Sequence, residues 1–299
     1  MNLCIVIFII IVSVVSAQKQ LKLNLAICFF GSGSYLEPHT KTSHGSIFEN
    51  NDNITEAIQK NRQRYASKYG YVLVTSSDEQ LAKGRKLEWA KVHLIKDTLS
   101  TYDWVLWVDS DAVFTNGAPS IESILVDNGV DLTKPFELLP SLYFSGDTNI
   151  ANSGVLLFRK SAFALTVLNE MWNIETVVQV HGSGRQIGMG ADNAALSVFL
   201  AGCNSSSTYN EMCKCYESSD VGYKNHAISD AIRRADQSTF AKIIPAHILR
   251  AVQPLPQISF NRYADDAKFI FHTAGLPAHR KVVLLGIMLG LRYLYLCID

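Results

Sequence analysis

Short apolar runs alternate with longer mixed stretches along the first 110 residues of the chain. Each run of Ile, Val, Leu, Phe or Trp is bounded by glycine or polar residues, a pattern typical of buried strands. The predicted strands are 23–30, 71–75 and 102–108. Helices are predicted between them at 56–68, with Thr55 as N-cap, and at 84–99. This alternation indicates an α/β fold with a parallel, doubly wound sheet whose functional residues follow the carboxyl ends of the strands.

The second half of the chain has a more mixed pattern. We predict strands at 151–158 and 269–272 and helices at 161–174, capped by Ser161, and at 191–200. Residues 182–190 contain four glycines and are predicted to form a flexible loop. Because no repeat or low-complexity linker interrupts the chain, one domain is the simplest interpretation.

The two ends of the chain are its most apolar segments. Residues 3–15 are almost unbroken Ile, Val, Leu and Phe, and the small residues Ser16 and Ala17 resemble a signal-peptidase site. This apolar stretch is shorter than the roughly 20 residues that a bilayer span needs. We predict a signal peptide over 1–17, with a short signal-anchor as the alternative; both place the chain in the secretory pathway. For the apolar residues 282–299 we predict a helix packed on the sheet, with membrane-surface association as the alternative.

Composition adds few constraints. The chain has 299 residues, 48% of them hydrophobic, and a formal net charge of zero, so no basic excess supports nucleic-acid binding. Cys28 lies in an apolar run and is predicted to be an inert buried thiol. A disulfide is predicted within a Ser- and Asn-rich segment, with the pairing open among Cys203, Cys213 and Cys215. Sequons at Asn53 and Asn204 agree with a secretory compartment.

Two acids, Asp109 and Asp111, directly follow the strand predicted at 102–108. Residues i and i+2 of a strand point to the same face, so we expect both carboxylates to meet at one spot. Mg²⁺ and Mn²⁺ take carboxylate and phosphate oxygens, which makes a divalent cation the natural partner of this pair. A metal there would stabilise the charge that a diphosphate leaving group gains as a glycosidic bond breaks.

Further motifs accompany the acidic pair in a fixed order: Asn61-Arg62 with Tyr65-Ala66, Trp89-Ala90-Lys91, Asn152-Ser153-Gly154, and Phe271-His272-Thr273-Ala274-Gly275 followed by Arg280-Lys281. Together they resemble the α-glycosyltransferase family of the yeast Golgi galactosyl/mannosyltransferases and plant xyloglucan xylosyltransferases. The resemblance implies a GT-A-type fold, a mostly parallel Rossmann-like sheet flanked by helices, in a glycosyltransferase domain over 18–281.

The resemblance also implies the chemistry. The expected enzyme moves a hexose or pentose (galactose, xylose or mannose) from a nucleotide diphosphate sugar to a glycan acceptor. A UDP-sugar is favoured over a GDP-sugar as the donor. The expected location is the Golgi membrane or lumen, or outside the cell after secretion. It retains the α configuration by front-face substitution, a double displacement through Asp192 being less favoured. Asp109, Asp111 and His272 are the implied metal ligands. An imidazole beside two carboxylates suits Mn²⁺ better than Mg²⁺, which is the alternative cofactor.

The remaining site residues follow from the same motifs. Asp192 and Asn193 are the implied catalytic pair, able to bind sugar hydroxyls or to stabilise positive charge at the anomeric carbon. Substrate contacts are implied for Arg62, Lys91, Ser110, Asn152, Gly154 and Lys281, with Arg280 and the loop at 31–34 as further candidates. Gly154 is expected to permit close approach of the backbone to the donor sugar. Asn193 stands where the family pattern has glutamine, which leaves donor and acceptor identity open.

Two other classes of protein stay in view. A haloacid-dehalogenase-type phosphatase would use Asp109 as nucleophile, Asp111 as general acid/base and Asp265-Asp266 as distal metal ligands. That motif normally follows the first strand of its domain, whereas here about 70 residues of strand–helix–strand–helix precede it. The second alternative is an inactive, carbohydrate-binding relative, against which the intact acidic pair and His272 argue.

Overall fold

The computed structural model describes residues 22–30, 51–146, 150–180, 191–203, 211, 226–262, 266–273, 284–285 and 288–289. Six strands of these residues form one sheet in the order β2-β1-β3-β6-β5-β7, and β4 pairs with β8 in a two-stranded sheet. The strands are β1 (Leu25–Phe30), β2 (Val72–Ser76), β3 (Trp104–Val108), β4 (Ala112–Phe114), β5 (Leu142–Ser145), β6 (Asn152–Arg159), β7 (Val252–Pro254) and β8 (Ile270–His272).

Helices cover both faces of the large sheet. They are α1 (Asn51–Tyr69), α2 (Ala90–Thr101), α3 (Ile121–Asp127), α4 (Ala162–Val180), α5 (Ala191–Leu200), α6 (His226–Arg233), α7 (Gln237–Ile243), α8 (Ala246–Leu249) and α9 (Gln257–Phe260). Single 3₁₀ turns lie at Glu79–Ala82, Leu87–Trp89 and Phe136–Leu138.

The neighbouring strands β1 and β3 are apolar throughout because both of their faces are covered. All five residues of β3 are buried, and they alternate between two cores. Val105 and Trp107 join the core beneath α2, α4 and α5, whereas Trp104, Leu106 and Val108 join the core on the opposite face. A strand buried on both faces reads as a continuous hydrophobic run, as this one does in the sequence.

Strand direction confirms the predicted α/β class and mostly parallel sheet, with one correction. β2, β1 and β3 are parallel to one another, and β5 is parallel to β7, but β6 runs antiparallel to both β3 and β5. The strand predicted at 151–158 therefore does not extend a purely parallel, doubly wound sheet. The segment between β5 and β6 is short, and short connections join antiparallel strands, whereas parallel neighbours need a longer crossover.

The predicted helices are confirmed in type, but two of them begin elsewhere. Helix α1 starts at Asn51, so Thr55 is not its N-cap. Its extra first turn is held by Ile54, which is 3% exposed and packs in a small core with Val113 and Phe271. Helix α2 starts at Ala90 rather than at residue 84, because Gly84 adopts a φ of 81° and a 3₁₀ turn follows it.

The other two helix predictions agree more closely with the structure. Ser161 Oγ accepts a hydrogen bond of 3.0 Å from the Ala164 amide, which is the capping interaction predicted for α4. Helix α5 has the predicted bounds, whereas α4 extends to Val180.

Cysteine chemistry follows the sequence analysis. Cys28 is free and fully buried, and burial raises the pKa of its thiol to about 12, with a hydrogen bond to Thr98 opposing the shift. Cys203 is disulfide-bonded to a partner outside the described residues, so the pairing with Cys213 or Cys215 stays a prediction.

The predictions for the chain ends and the glycine loop fall largely outside the described residues. These are the signal segment 1–17, the loop at 182–190 and most of 282–299. Within the last segment, Leu285 is buried in the small core with Ile54. Among the described residues, no helix combines the length and apolar character needed to cross a membrane.

Candidate metal and sugar-nucleotide site

The acidic pair lies in a turn rather than on a strand. β3 ends at Val108, β4 begins at Ala112, and the Ala112 amide donates to the Asp109 carbonyl at 3.2 Å. The expectation that Asp109 and Asp111 share one face of a strand is therefore wrong, although their carboxylates do lie close together. The two carboxylates come close together because the chain turns between β3 and β4.

Pairing of β4 with β8 brings the third predicted ligand to this turn. Ala112 lies opposite His272 in the ladder, and the Thr273 amide and hydroxyl donate to the Asp111 carbonyl at 3.1 and 3.0 Å. His272 Nε2 lies 3.1 Å from Asp111 Oδ1. One ligand atom from each of Asp109, Asp111 and His272 lies within 4.8 Å of the others.

These three side chains fit a divalent metal ion. Carboxylate oxygens and an imidazole nitrogen form a donor set suited to Mn²⁺, and their spacing allows all three to reach one ion. The ring of His272 occupies space that exists only because residue 154 is glycine: a Cβ there would lie 2.0 Å from His272 Cε1. The close approach predicted for a donor sugar at Gly154 is thus made by the imidazole.

Arg62 holds the acidic turn through hydrogen bonds to two of its backbone carbonyls. Its guanidinium donates to the Asp109 carbonyl at 2.5 Å and to the Ala112 carbonyl at 3.1 Å, and it lies 4.1 Å from the centre of the Phe29 ring. Burial lowers the pKa of Arg62 to about 9, against the opposing effect of Asp109 and Asp111. With 1% of its surface exposed, Arg62 is better placed to hold the turn than to contact a substrate.

Lys91 sits between two carboxylates that come from distant parts of the chain. Its ammonium lies 2.9 Å from Asp109 Oδ1 and 2.6 Å from Asp192 Oδ2, and it is 3% exposed. Burial lowers the pKa of Lys91, but the two carboxylates outweigh that effect and hold it above its usual value. Lys91 therefore stays charged and links the acidic turn to the start of α5.

Asp192 is held in one orientation by this lysine and by β6. Ser153 Oγ donates to Asp192 Oδ2 at 2.5 Å, and the Ser153 amide donates to Asn193 Oδ1 at 2.5 Å. Burial raises the pKa of Asp192, but Lys91 and the Ser153 hydroxyl bring it below its ordinary value. Asp192 is therefore an ionised carboxylate with a fixed orientation. Asn193 links α5 to β6 through its hydrogen bond from the Ser153 amide.

A cleft of about 150 Å³ opens over this arrangement. Five of the predicted site residues line it: Lys91, Asp109, Ser110, Asp111 and Asp192. Phe30 and Trp107 contribute apolar surface, and Trp107 Nε1 donates to Asp109 Oδ1 at 2.7 Å. A cleft with a few convergent polar groups and an apolar wall has the character of a small-molecule site.

The other predicted site residues occupy different places. Asn152 and Gly154 are not among the described residues that line the cleft: Gly154 lies against His272, and Asn152 Oδ1 accepts a hydrogen bond from Asn261 Nδ2. Lys281, Arg280 and the loop at 31–34 lie outside the described residues. Of the acids that the phosphatase interpretation needs, Asp266 instead pairs with Arg262 at 2.8 Å and does not join the metal-ligand cluster of the described residues.

Sequence reasoning missed the cleft residues Phe30, Leu87 and Glu88, and it missed Asn261 beside the predicted ligand His272. Asn261 is 1% exposed and lies 3.1 Å from His272 Nδ1 through its Oδ1. It follows the short helix α9 and belongs to none of the motifs quoted above, so no pattern in the sequence indicated it.

Comparisons with known proteins agree with the motif resemblance. Residues 39–133, which include Lys91 and both acids of the turn, match the galactosyl transferase GMA12/MNN10 family. The family resemblance is confirmed. An alpha-1,2-galactosyltransferase of Schizosaccharomyces pombe (strain 972 / ATCC 24843) is 31% identical over 96 residues. That match covers 27% of this chain and 26% of the relative, so the chain spans about a quarter of the length of this curated relative.

One solved structure is also similar in part. It is the crystal structure of a glycosyltransferase involved in the glycosylation of the major capsid of PBCV-1, at 11% sequence identity and a TM-score of 0.45. The alignment covers 88% of this chain and 98% of that one.

Proposed function

We propose that this protein is a metal-dependent, retaining glycosyltransferase that moves a hexose or pentose from a nucleotide diphosphate sugar to a glycan hydroxyl. The observation that carries the proposal is the convergence of Asp109, Asp111 and His272 at a cleft that Asp192 and Lys91 also line. The GMA12/MNN10 match over 39–133 supports the same reaction class.

Asp109, Asp111 and His272 would hold the metal, with Mn²⁺ favoured over Mg²⁺. The ion supplies positive charge to the diphosphate when bound. Asp109 and Asp111 face the cleft, whereas His272 is 2% exposed and reaches the cluster from behind. This arrangement leaves the cleft side of the cluster open to phosphate oxygens.

Asp192 is proposed to face the sugar. Its carboxylate is ionised and oriented by Lys91 and Ser153, so it can accept hydrogen bonds from sugar hydroxyls or stabilise positive charge at the anomeric carbon. In the front-face reaction, the bond from the anomeric carbon to the diphosphate oxygen breaks. The acceptor oxygen bonds to the same face, and its proton passes to the departing diphosphate oxygen.

The finer assignments belong to the same proposal. The family description and the fission-yeast relative make galactose the first donor sugar to test, with xylose and mannose next and UDP before GDP. Substrate contacts from Lys91 and Ser110 are proposed because both line the cleft. The Golgi or another part of the secretory pathway is the proposed compartment.

A donor panel tests the proposal. Release of nucleotide diphosphate from UDP- and GDP-linked galactose, xylose and mannose is measured with Mn²⁺ and with a chelator. We expect turnover of one donor that needs the metal. No turnover and no binding of any donor would leave the inactive relative as the better interpretation. Turnover of a phosphomonoester that Asp109→Asn abolishes would favour the phosphatase.

A further inference from the structure

The amide of Asn152 has a defined orientation. The Gly154 backbone N–H donates to Asn152 Oδ1 at 2.9 Å, and a backbone N–H can act only as a donor. The side-chain oxygen, not the nitrogen, must therefore face Gly154. The oxygen has two lone pairs, so it can accept a second hydrogen bond.

That second bond comes from Asn261 and orients its amide in turn. Asn261 Nδ2 donates to Asn152 Oδ1 at 2.9 Å, and the reverse orientation would place two oxygens face to face. The oxygen of Asn261 must then point the other way, where it lies 3.1 Å from His272 Nδ1. Asn261 is 1% exposed, and its own backbone N–H is bound to the Gln257 carbonyl at 3.0 Å.

We propose that Asn261 is a positioning residue that accepts a hydrogen bond from His272 Nδ1–H and thereby directs Nε2 to the metal. An amide oxygen can only accept, so Nδ1 must carry the proton. An imidazole can bind a metal through either nitrogen, and the hydrogen bond made by one nitrogen determines that the other binds the metal. Nε2 is the atom that lies 3.1 Å from Asp111 Oδ1, within the ligand cluster.

Two features place the His272 ring without selecting between its nitrogens. The β4–β8 ladder places the His272 backbone opposite Ala112, and Gly154 leaves room for Cε1. Neither contact distinguishes one ring nitrogen from the other. The polar contacts do: Asn261 Oδ1 lies against Nδ1 and Asp111 Oδ1 lies against Nε2, and Asn261 is the group that must accept the Nδ1 proton. The metal part of this inference depends on the proposed function, whereas the protonation of Nδ1 does not.

Metal affinity gives the first test. Mn²⁺ binding to the full chain is measured from the electron paramagnetic resonance signal of free Mn²⁺. Asn261→Ala is expected to weaken binding about 10- to 100-fold, the usual effect of removing a partner that orients a metal-binding histidine. Asn261→Asp keeps an acceptor for Nδ1–H and should bind Mn²⁺ more tightly than the alanine variant. Asn128→Ala is the matched control, since it loses an amide bond to the Ile124 carbonyl at the end of α3.

The outcomes separate the inference from the function proposed above. Unchanged affinity in Asn261→Ala, or equal losses in the alanine and aspartate variants, would overturn the positioning role. Nitrogen-15 NMR of the wild-type imidazole gives the second test, with Nδ1 expected to be protonated. An unprotonated Nδ1 overturns the inference whether or not the protein binds metal. Absence of Mn²⁺ binding to the wild type, with Nδ1 protonated, would instead count against the metal-dependent function.

Discussion

Lys91 sets the balance of charge in the site at the scale of single residues. Asp109 and Asp192 both contact its ammonium, and Lys91 is buried between them at 3% exposure. A lysine in this position lowers the pKa of Asp192 and offsets the repulsion between the two carboxylates that contact it. The same lysine fixes the distance between the acidic turn and the amino terminus of α5.

Replacing Lys91 with methionine tests this role. The substitution keeps the length of the side chain but leaves two carboxylates without their cation, and breaking a buried ion pair in this way costs about 3–5 kcal/mol. Urea unfolding in the presence of a chelator measures the change in the free energy of unfolding. Lys96→Met, on the same helix with its ammonium bound to exposed Asn169, is the control and should stay within about 0.5 kcal/mol. Equal effects of the two substitutions would contradict the account.

Asp192 makes stability depend on acid pH. Its folded-state pKa lies below the ordinary value of 3.8, so the ionised carboxylate contributes stability above that value. The contribution is lost as the pH falls through the lower, folded-state pKa. Asp192→Asn removes the titrating group, so the variant should lose less stability than the wild type as the pH falls below 3.8. Parallel denaturation curves across acid pH are the measurement, and identical pH profiles would show that Asp192 is not held in this way.

At the scale of elements, the site depends on two very short strands. β4 and β8 have three residues each, yet their pairing places His272 beside Asp111. Long apolar runs and long helices could be predicted from sequence because burial or amphipathic packing acts on many residues at once. The apolar run at 269–272 did predict β8, whereas the three residues of β4 have no readable period, and β4 forms here because β8 and α1 cover it.

The contacts between distant residues show the same limit. Lys91 and Asp192 are 101 positions apart, and nothing in either local pattern indicates that they meet. The motif resemblance supplied the three proposed metal ligands, because each sits in a recognisable run. It did not supply Asn261, whose proposed role arises only from its own hydrogen bonds to Asn152 and to His272.

The first turn of α1 offers a prediction at this scale. Ile54 packs with Val113 of β4 and Phe271 of β8, so truncating it leaves a cavity beneath the small sheet. Ile54→Ala should lower the free energy of unfolding by about 2–5 kcal/mol. Glu56→Ala removes only an exposed ion pair to Lys60 and should cost less than about 1 kcal/mol. A small effect of Ile54→Ala in chemical denaturation would mean that α1 begins later, as the sequence pattern suggested.

At the scale of the whole molecule, the site joins two parts of the chain. The segment that matches the GMA12/MNN10 family, 39–133, contains Lys91 and the acidic turn, whereas Asp192 and His272 lie beyond it. The sheet brings these parts together, since β6 lies beside β3 and carries Ser153, the partner of Asp192. The proposed enzyme therefore needs the whole described fold and not the matched segment alone.

The most direct test of a metal-dependent sugar transferase is donor turnover with and without metal in a pair of matched variants. Asp109 lies just after the carboxyl end of β3, and Asp103 lies just before its amino end, where it accepts a hydrogen bond from Asn24. With the best donor of the panel and Mn²⁺, Asp109→Asn should lower turnover by about 10²–10³, the scale of losing one preorganised electrostatic contact. Asp103→Asn should keep wild-type turnover, and a chelator should abolish it in both the wild type and this control. Turnover that survives the chelator, or falls equally in the two variants, would contradict the account.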